Sequence, residues 1–250
     1  MYSSDGLERK RVVRKAVLIT GGSRGIGYAI ARGFAAQGDA VTITGRDATT
    51  LAKAAEAIGA RALVADADDA TALQALGAFP HGLDVLVNNA GGFATPPPPV
   101  DAGLSELGEY WMAGLRRNLL GAVLTTAAVE PIIIAGGSII SVGSIGGEYA
   151  SNPYSVAKAA ISAWNVGLSE RVGPRGITAN VIAPGYVEGT SLFGGPLPKE
   201  RLADLIGRTH VKRAATTADI AATALFLASD GARHLTGQVI HVNGGAHTTR

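Results

Sequence analysis

The chain has 250 residues, of which 17% are charged and 47% hydrophobic, with 34 glycines and a net charge of +2. That balance excludes a disordered chain and a coiled coil, and it falls far short of the clustered positive field of a dedicated nucleic-acid binder. The complete absence of cysteine excludes disulfides, zinc-thiolate sites and a cysteine nucleophile, and is compatible with the reducing cytoplasm in which the protein is expected.

Residues 1–13 are polar and charged with only scattered apolar positions, and read as a solvated N-terminal arm. They lack the apolar core of a signal peptide, and no later segment reaches the roughly 18 continuous apolar residues that span a bilayer. Residues 14–250 are expected to form one α/β domain, a size at which such folds bury a large core. Short β-branched runs alternate with alanine-rich stretches: Ala16 to Ile19 then Ala29 to Gln37, and Ala40 to Thr44 then Thr49 to Ile58. The rhythm continues with strands at Arg61–Ala65, Val85–Val87, Ser138–Val142, Ile177–Ile182 and Gln238–Val242. These runs are apolar throughout instead of alternating, so both faces of the sheet are covered, which predicts a doubly wound, seven-stranded parallel sheet with helices on both sides. Ligands of such sheets bind beyond the carboxyl ends of the strands, where the strand order reverses. Pro96 to Pro99 reads as a stiff extended loop after the fourth strand.

The first strand runs into Thr20-Gly21-Gly22-Ser23-Arg24-Gly25-Ile26-Gly27, and a helical pattern starts at once. Glycines so spaced let backbone amides approach a pyrophosphate, and the helix N-terminus adds donors and a favourable dipole. Further on, Tyr154 and Lys158 lie four apart, just after a proline suited to opening a helix, so their side chains share one face. A phenol with a pKa near 10 exchanges protons poorly at neutral pH, but a nearby ammonium favours phenolate. The histidines show no paired spacing of a metal site, His241 reads as a packing or interface residue in the last strand, and no catalytic metal is expected.

The Thr-Gly-x-x-x-Gly-x-Gly run resembles the nucleotide fingerprint of the short-chain dehydrogenase/reductase family. Its other landmarks follow in order: Asp66, Asn88-Asn89-Ala90-Gly91, Asn118, Ser144, Tyr154-x-x-x-Lys158, Pro184-Gly185, and Thr236 through Gly245. The resemblance spans about Lys15 to Gly245 and implies hydride transfer between a nicotinamide dinucleotide and a small-molecule ketone or secondary alcohol. It implies that Gly21, Ser23, Arg24, Gly25, Ile26 and Gly27 cradle the phosphates, and that Asp66 with Ala67 meets the adenine. Asn88, Ala90 and Gly91 would line the adenine-ribose side. Pro184, Gly185 and Val187 would meet the carboxamide, and Thr190 would add a hydroxyl, although the family's threonine often stands where this chain has Gly189. Tyr154 is then general acid/base, Lys158 holds the nicotinamide ribose, Ser144 steadies the substrate oxygen, and Asn118 holds a water linking Lys158 to solvent.

An NAD-specific site of this fold carries an acid after the second strand, whose carboxylate repels a 2'-phosphate. Here Gly45 takes that place and Arg46 follows, while Arg24 converges from the phosphate loop, so NADP(H) is expected in preference to NAD(H). Asp47 reads as the N-cap of the next helix instead of the missing acid. For the serine, Ser144 lies ten residues before Tyr154 and Ser141 thirteen; alignment on the strand places Ser144 at its end and Ser141 within it, which selects Ser144 and a loop shortened by three residues. Tyr149 falls in that loop. Glycines and prolines from Gly194 to Pro198 and the amphipathic Arg201 to Ile206 suggest a mobile lid.

The organisation most resembles 3-oxoacyl-carrier-protein reductases and related ketoreductases. Arg175 fits their carrier-binding residues, but Pro131 to Gly137 contains no basic residue, so a free ketone is the expected substrate and carrier-bound thioesters the alternative. A catalytically silent dinucleotide sensor is the reading from another class. Analogy with tetrameric relatives implies a homotetramer packed through the last strand.

Overall fold

The computed structural model describes residues 14–77, 79, 82–93, 96–192, 194–195 and 197–249; the expected N-terminal arm, residues 1–13, lies outside them. The strands are β1 (Ala16–Ile19), β2 (Ala40–Gly45), β3 (Arg61–Val64), β4 (Leu83–Asn88), β5 (Ile133–Val142), β6 (Thr178–Pro184) and β7 (Val239–Val242). They form one sheet in the order β3-β2-β1-β4-β5-β6-β7, every pair parallel. The helices are α1 (Gly25–Ala36), α2 (Ala48–Ile58), the single turn α3 (Ala70–Leu73), α4 (Leu104–Leu115), α5 (Gly121–Val129), α6 (Pro153–Val172), α7 (Lys199–Gly207) and α8 (Thr217–Leu227).

The apolar runs of the sequence bury on both faces, as their lack of alternation requires. In β1, Val17 and Ile19 enter the core formed with Ile30 and Phe34 of α1, Leu51 of α2 and Ile220 and Leu227 of α8. Leu18, between them, enters the opposite core with Val129 of α5 and Leu168 and Val172 of α6. Each such side chain contributes about 1.5–3 kcal/mol by leaving water. Among the described residues, no helix is long and apolar enough to cross a membrane.

Most strand boundaries fall within two residues of expectation, and one differs by more. The fifth strand was expected from Ser138, but β5 begins at Ile133, which pairs with Leu83 before the register shifts between Leu83 and Val85. Gly136, at φ 76°, interrupts the apolar run and hides the strand's first half from a pattern reading.

The chain builds β1, β2 and β3 outward to one side, then returns past β1 to lay β4 on its other side. The strand order therefore reverses between β1 and β4, and the loops leaving these two strands open a crevice at the carboxyl edge of the sheet.

Candidate active site

The loops after β1 and β4 are joined by a compact set of bonds. The Thr20 hydroxyl accepts from the amides of Asn89 and Ala90, both at 3.0 Å. Asn89 Nδ2 in turn donates to the carbonyls of Thr20 and Gly21, both at 3.0 Å. The glycines are required by this closeness: a Cβ on Gly27 would stand 2.4 Å from Asn89 Nδ2 and from the Gly21 carbonyl oxygen, and Gly21 and Gly25 hold φ of 65° and 56°. Arg24 is the N-cap of α1, yet its side chain caps nothing, and the first turn contains no acid. The α1 terminus thus presents backbone donors and a positive dipole end into the crevice, an arrangement that fits a diphosphate. Ser23 lies beside it, with its hydroxyl 3.7 Å from where a Cβ on Gly45 would stand, and Ile26 packs against the α1 core.

Beyond this loop, β2 ends at Gly45 without an acid. Asp47 instead accepts from the Thr50 amide at 2.7 Å and caps α2, as expected, and that bond, with Arg24 nearby, holds its carboxyl below the usual range. Arg46 is exposed, with Nε 3.9 Å from Asp66. Burial, aided by the neighbouring Asp68, pushes the Asp66 carboxyl up against the opposing pull of Arg46. Ala67 follows, its carbonyl packed against Gly121 at the start of α5.

Asn88 ends β4 at the rim of the crevice. Its side chain turns away from the crevice into the helix layer and donates to the Thr126 hydroxyl at 2.9 Å, while Asn89, next along the chain, faces the phosphate loop. Successive residues at a strand end point to opposite sides, so one of the pair must be structural. Ala90 and Gly91 complete the rim. A Cβ on Gly91 would stand 2.7 Å from Asn118 Oδ1 and 3.4 Å from Lys158 Nζ, so this glycine's bareness keeps the floor open.

The reacting groups lie at the start of α6. Asn152 and Ser155 form a reciprocal capping box and Pro153 occupies the first turn, which fixes the helix start and so the position of Tyr154. One turn on, Lys158 is buried; its ammonium donates to the Val142 carbonyl at 2.7 Å and lies 5.7 Å from the centre of the Tyr154 ring. Burial lowers the Lys158 pKa to about 8. The phenol is a hydrogen-bond partner of Ser144, and Phe93 packs against its ring at 5.0 Å between centroids.

Burial holds the Tyr154 phenol above its ordinary value, and only the Ser144 bond opposes this. The Lys158 ammonium, bonded to the Val142 carbonyl and 5.7 Å from the ring centre, leaves burial as the larger influence on the phenol.

Ser144 ends the strand loop, where its oxygen accepts from the Gly146 amide at 2.9 Å, whereas Ser141 is wholly buried inside β5 with its hydroxyl unpartnered. The geometry thus separates the two serines as the strand alignment did. Tyr149 is 62% exposed. Asn118 lies in a turn of π-helix, Arg116–Leu120, between α4 and α5. Its Oδ1 accepts from the Gly92 amide at 2.8 Å, and its Nδ2 donates to the carbonyls of Gly92 and Gly114 at 2.9 and 3.0 Å. Both amide protons are engaged, so the side chain clamps the Gly92 loop and has no proton left to donate to a water.

At the far wall, Pro184 ends β6 and Gly185 packs on Asn243, where a Cβ would stand 3.0 Å from the Asn243 Cβ. Val187 is buried and bridges to Ala215, and its carbonyl accepts from the Thr190 hydroxyl at 3.0 Å. Thr190 reaches within 3.8 Å of where a Cβ on Gly25 would be, closing the crevice from the side opposite Gly91. Beyond it, α7 buries none of its residues, the property expected of a cover segment. Sequence reasoning missed Phe93, Val142 and Asn89 as side-chain or backbone partners; only Asn89 carried a signal, as part of the Asn-Asn-Ala-Gly run.

Fold and crevice together define a Rossmann-type oxidoreductase. Residues 21–247 match the family model described as Enoyl-(Acyl carrier protein) reductase. An oxidoreductase of Mycobacterium tuberculosis is 37% identical over 242 residues, covering 92% of this chain and 97% of its own. The 3-oxoacyl-acyl-carrier-protein reductase of Escherichia coli is 32% identical over 245 residues, covering 93% and 97%. Among solved structures, a blue fluorescent protein from a metagenomic library, in complex with NADPH, superposes with a TM-score of 0.82 at 31% identity, covering 94% of this chain and 98% of that one. A short-chain dehydrogenase from Burkholderia cenocepacia in complex with NADP gives 0.80 at 32%, again covering 94% and 98%. The chain belongs to the short-chain dehydrogenase/reductase family.

Proposed function

We propose that the chain interconverts a ketone and a secondary alcohol with NADP(H), using Tyr154 as general acid/base. The observation that carries this is the convergence of Tyr154, Ser144 and buried Lys158 at the rim where the strand order reverses. Bound NADPH would supply the hydride to the carbonyl carbon, and NADP+ would take it back in the alcohol direction. Ser144 and Tyr154 would hold the carbonyl oxygen between two hydroxyls. As negative charge grows on that oxygen, the Tyr154 proton passes to it, and a phenol raised by burial is in its donating form over the neutral range. The resulting phenolate would be steadied by the nearby Lys158 ammonium, which would also hold the nicotinamide ribose, and would regain its proton from solvent. Asn118 acts as a positioning residue through Gly92.

The 2'-phosphate would be held by Arg24 and Arg46 beside the acid-free Gly45, with Gly21, Ser23, Gly25, Ile26 and Gly27 at the diphosphate, Asp66, Ala67 and Ala90 toward the adenosine, and Pro184, Gly185, Val187 and Thr190 at the carboxamide. The NADPH and NADP bound in the two structural relatives support this choice over NAD(H). The homotetramer packed through β7, an edge strand of the sheet, rests on analogy with tetrameric relatives.

The relatives named as carrier-protein reductases favour a second reading, in which the ketone is a carrier-bound thioester. Against it, Arg175 donates to the carbonyls of Glu130 and Ile133, Arg171 pairs with Glu130 at 2.6 Å, and Arg233 donates to Gly136. The cations near the start of β5 are thus engaged by the chain itself, which favours a free ketone. Following NADPH absorbance against free and carrier-bound ketones, with NADH as control, separates the two. Tyr154→Phe with undiminished NADPH oxidation overturns the mechanism, and a wild type that binds NADPH but oxidises it with no ketone revives the silent sensor.

A further inference from the structure

On the flank of the crevice, side chains from two distant stretches of the chain converge. Glu148 ends the single 3-10 turn Ile145–Glu148 that Ser144 caps, His241 lies in β7, and His247 lies in the tail beyond it. One potential ligand atom from each lies within 4.8 Å of the other two, and the imidazole centres are 5.1 Å apart with planes tilted by 45°. His247 Nε2 stands 3.9 Å from the Glu148 carboxylate, too far for a hydrogen bond.

Two features separate this group from a chance surface cluster. First, His241 Nδ1 and His247 Nε2 are both shielded from solvent and have no hydrogen-bond partner. A buried ring nitrogen without a partner loses the hydrogen bonds it made in water, and here two suffer that loss in one place. An ion pair between His247 and Glu148 would leave His241 Nδ1 unmet. Second, the backbone around the group is fixed. His241 is held in the β6–β7 ladder opposite Ala183. The tail folds back because Asn243, itself buried, donates from Nδ2 to the His247 carbonyl and accepts from the Gly245 amide at Oδ1, both at 2.9 Å.

We propose that Glu148, His241 and His247 bind a divalent transition-metal ion, with Zn2+ the preferred occupant. Two imidazoles and one carboxylate are a borderline donor set that favours Zn2+ over the hard, oxygen-seeking Mg2+ and Ca2+. Ligand bonds of about 2.0–2.1 Å in tetrahedral geometry put ligand atoms about 3.4 Å apart, so the His247–Glu148 gap has to close by about half an ångström and no gap by more than about 1.4 Å. Three protein ligands leave a fourth position for water. The ion would tie β7 and the tail to the turn headed by Ser144, whose hydroxyl also meets Tyr154. It is a structural clamp beside the crevice, and its binding does not depend on the proposed reaction.

The test uses the full chain without an affinity tag, stripped by chelator and titrated with Zn2+ in competition with a chromogenic chelator. The expected result is one Zn2+ per chain, a raised Tm, no displacement by millimolar Mg2+, and an intense visible band when Co2+ is substituted. Glu148→Gln, at an exposed position, is expected to lose saturable binding while keeping the wild-type circular dichroism and metal-free Tm. His247→Ala and His241→Gln are expected to lose it too. Absence of a saturable site overturns the proposal, as does equal displacement by Mg2+, or all three variants binding Zn2+ as the wild type does.

Discussion

The Lys158 ammonium reaches from inside α6 to the Val142 carbonyl at the end of β5, 2.7 Å away, and burial alone lowers its pKa to about 8. Its effect on stability has a definite sign. Below about pH 8 both the folded and the unfolded chain carry the proton, and the whole cost of burying a cation weighs on the fold. Between about 8 and the ordinary 10.5 the folded chain loses the proton first, so stability from this group rises with pH. Lys158→Met is therefore expected to cut turnover by about 10²–10⁴-fold. It should nonetheless stabilise the fold at pH 7 by about 1–2 kcal/mol, after the orphaned Val142 carbonyl is counted. Denaturant unfolding at pH 7 and pH 10 checks this; an advantage that does not shrink at the higher pH contradicts it.

Dinucleotide choice should rest on charge at the end of β2. Replacing Arg46 or Arg24 by alanine removes one guanidinium from the dianionic phosphate, a loss of about 1.5–3 kcal/mol or roughly 10–100-fold in KM for NADPH, with NADH little affected. Gly45→Asp restores the acid of an NAD site, and its Cβ meets only Leu51 at 3.3 Å and Ser23 at 3.7 Å, so the fold can accept it. The ratio of kcat/KM for NADPH to that for NADH should fall in all three variants. A ratio unmoved by Gly45→Asp would place the 2'-phosphate elsewhere.

Gly27→Ala tests the joint between the phosphate loop and the Asn88–Gly91 loop. The added methyl would stand 2.4 Å from both Asn89 Nδ2 and the Gly21 carbonyl oxygen, and neither can withdraw without breaking the bond they share. Overpacking of this kind costs about 1–3 kcal/mol. The expected outcome is a lower Tm together with weakened NADPH binding by fluorescence titration, whereas Gly103→Ala, with open space around it, should change neither.

The parts of this site that were legible in the chain are those whose chemistry is local. Thr20 to Gly27 reads as a phosphate turn because strand, glycines and helix start are contiguous, and Tyr154 and Lys158 read as a pair because one helical turn joins them. What depended on folding in three dimensions stayed hidden. Which of Asn88 and Asn89 faces the crevice is decided by the last pleat of β4, and the phenol's direction of shift by how deeply α6 sinks and where Lys158 spends its proton. The Glu148–His241–His247 group joins the turn after β5 to β7 and to the tail that Asn243 folds back, a juxtaposition the histidine spacing alone did not show. The same limit shortened β5, where Gly136 masked a strand that tertiary pairing restores.

The two serines near the end of β5 give the sharpest separation of structural and chemical roles. Ser144 touches both the Gly146 amide and the phenol of Tyr154, so Ser144→Ala should lower kcat by about 10²–10³-fold, the cost of one donor lost at a developing oxyanion. Ser141 lies three residues earlier, wholly buried in the sheet opposite Asn88 and Val181, with its hydroxyl unpartnered. Its removal relieves an unmet polar group without opening a cavity larger than one oxygen, so Ser141→Ala should keep full activity and raise the Tm by an amount worth about 1 kcal/mol. Steady-state kinetics and thermal melts of both variants decide the assignment. If the activity loss follows Ser141 instead, the strand alignment that chose Ser144 fails, because a residue inside the sheet would then have to reach the substrate oxygen.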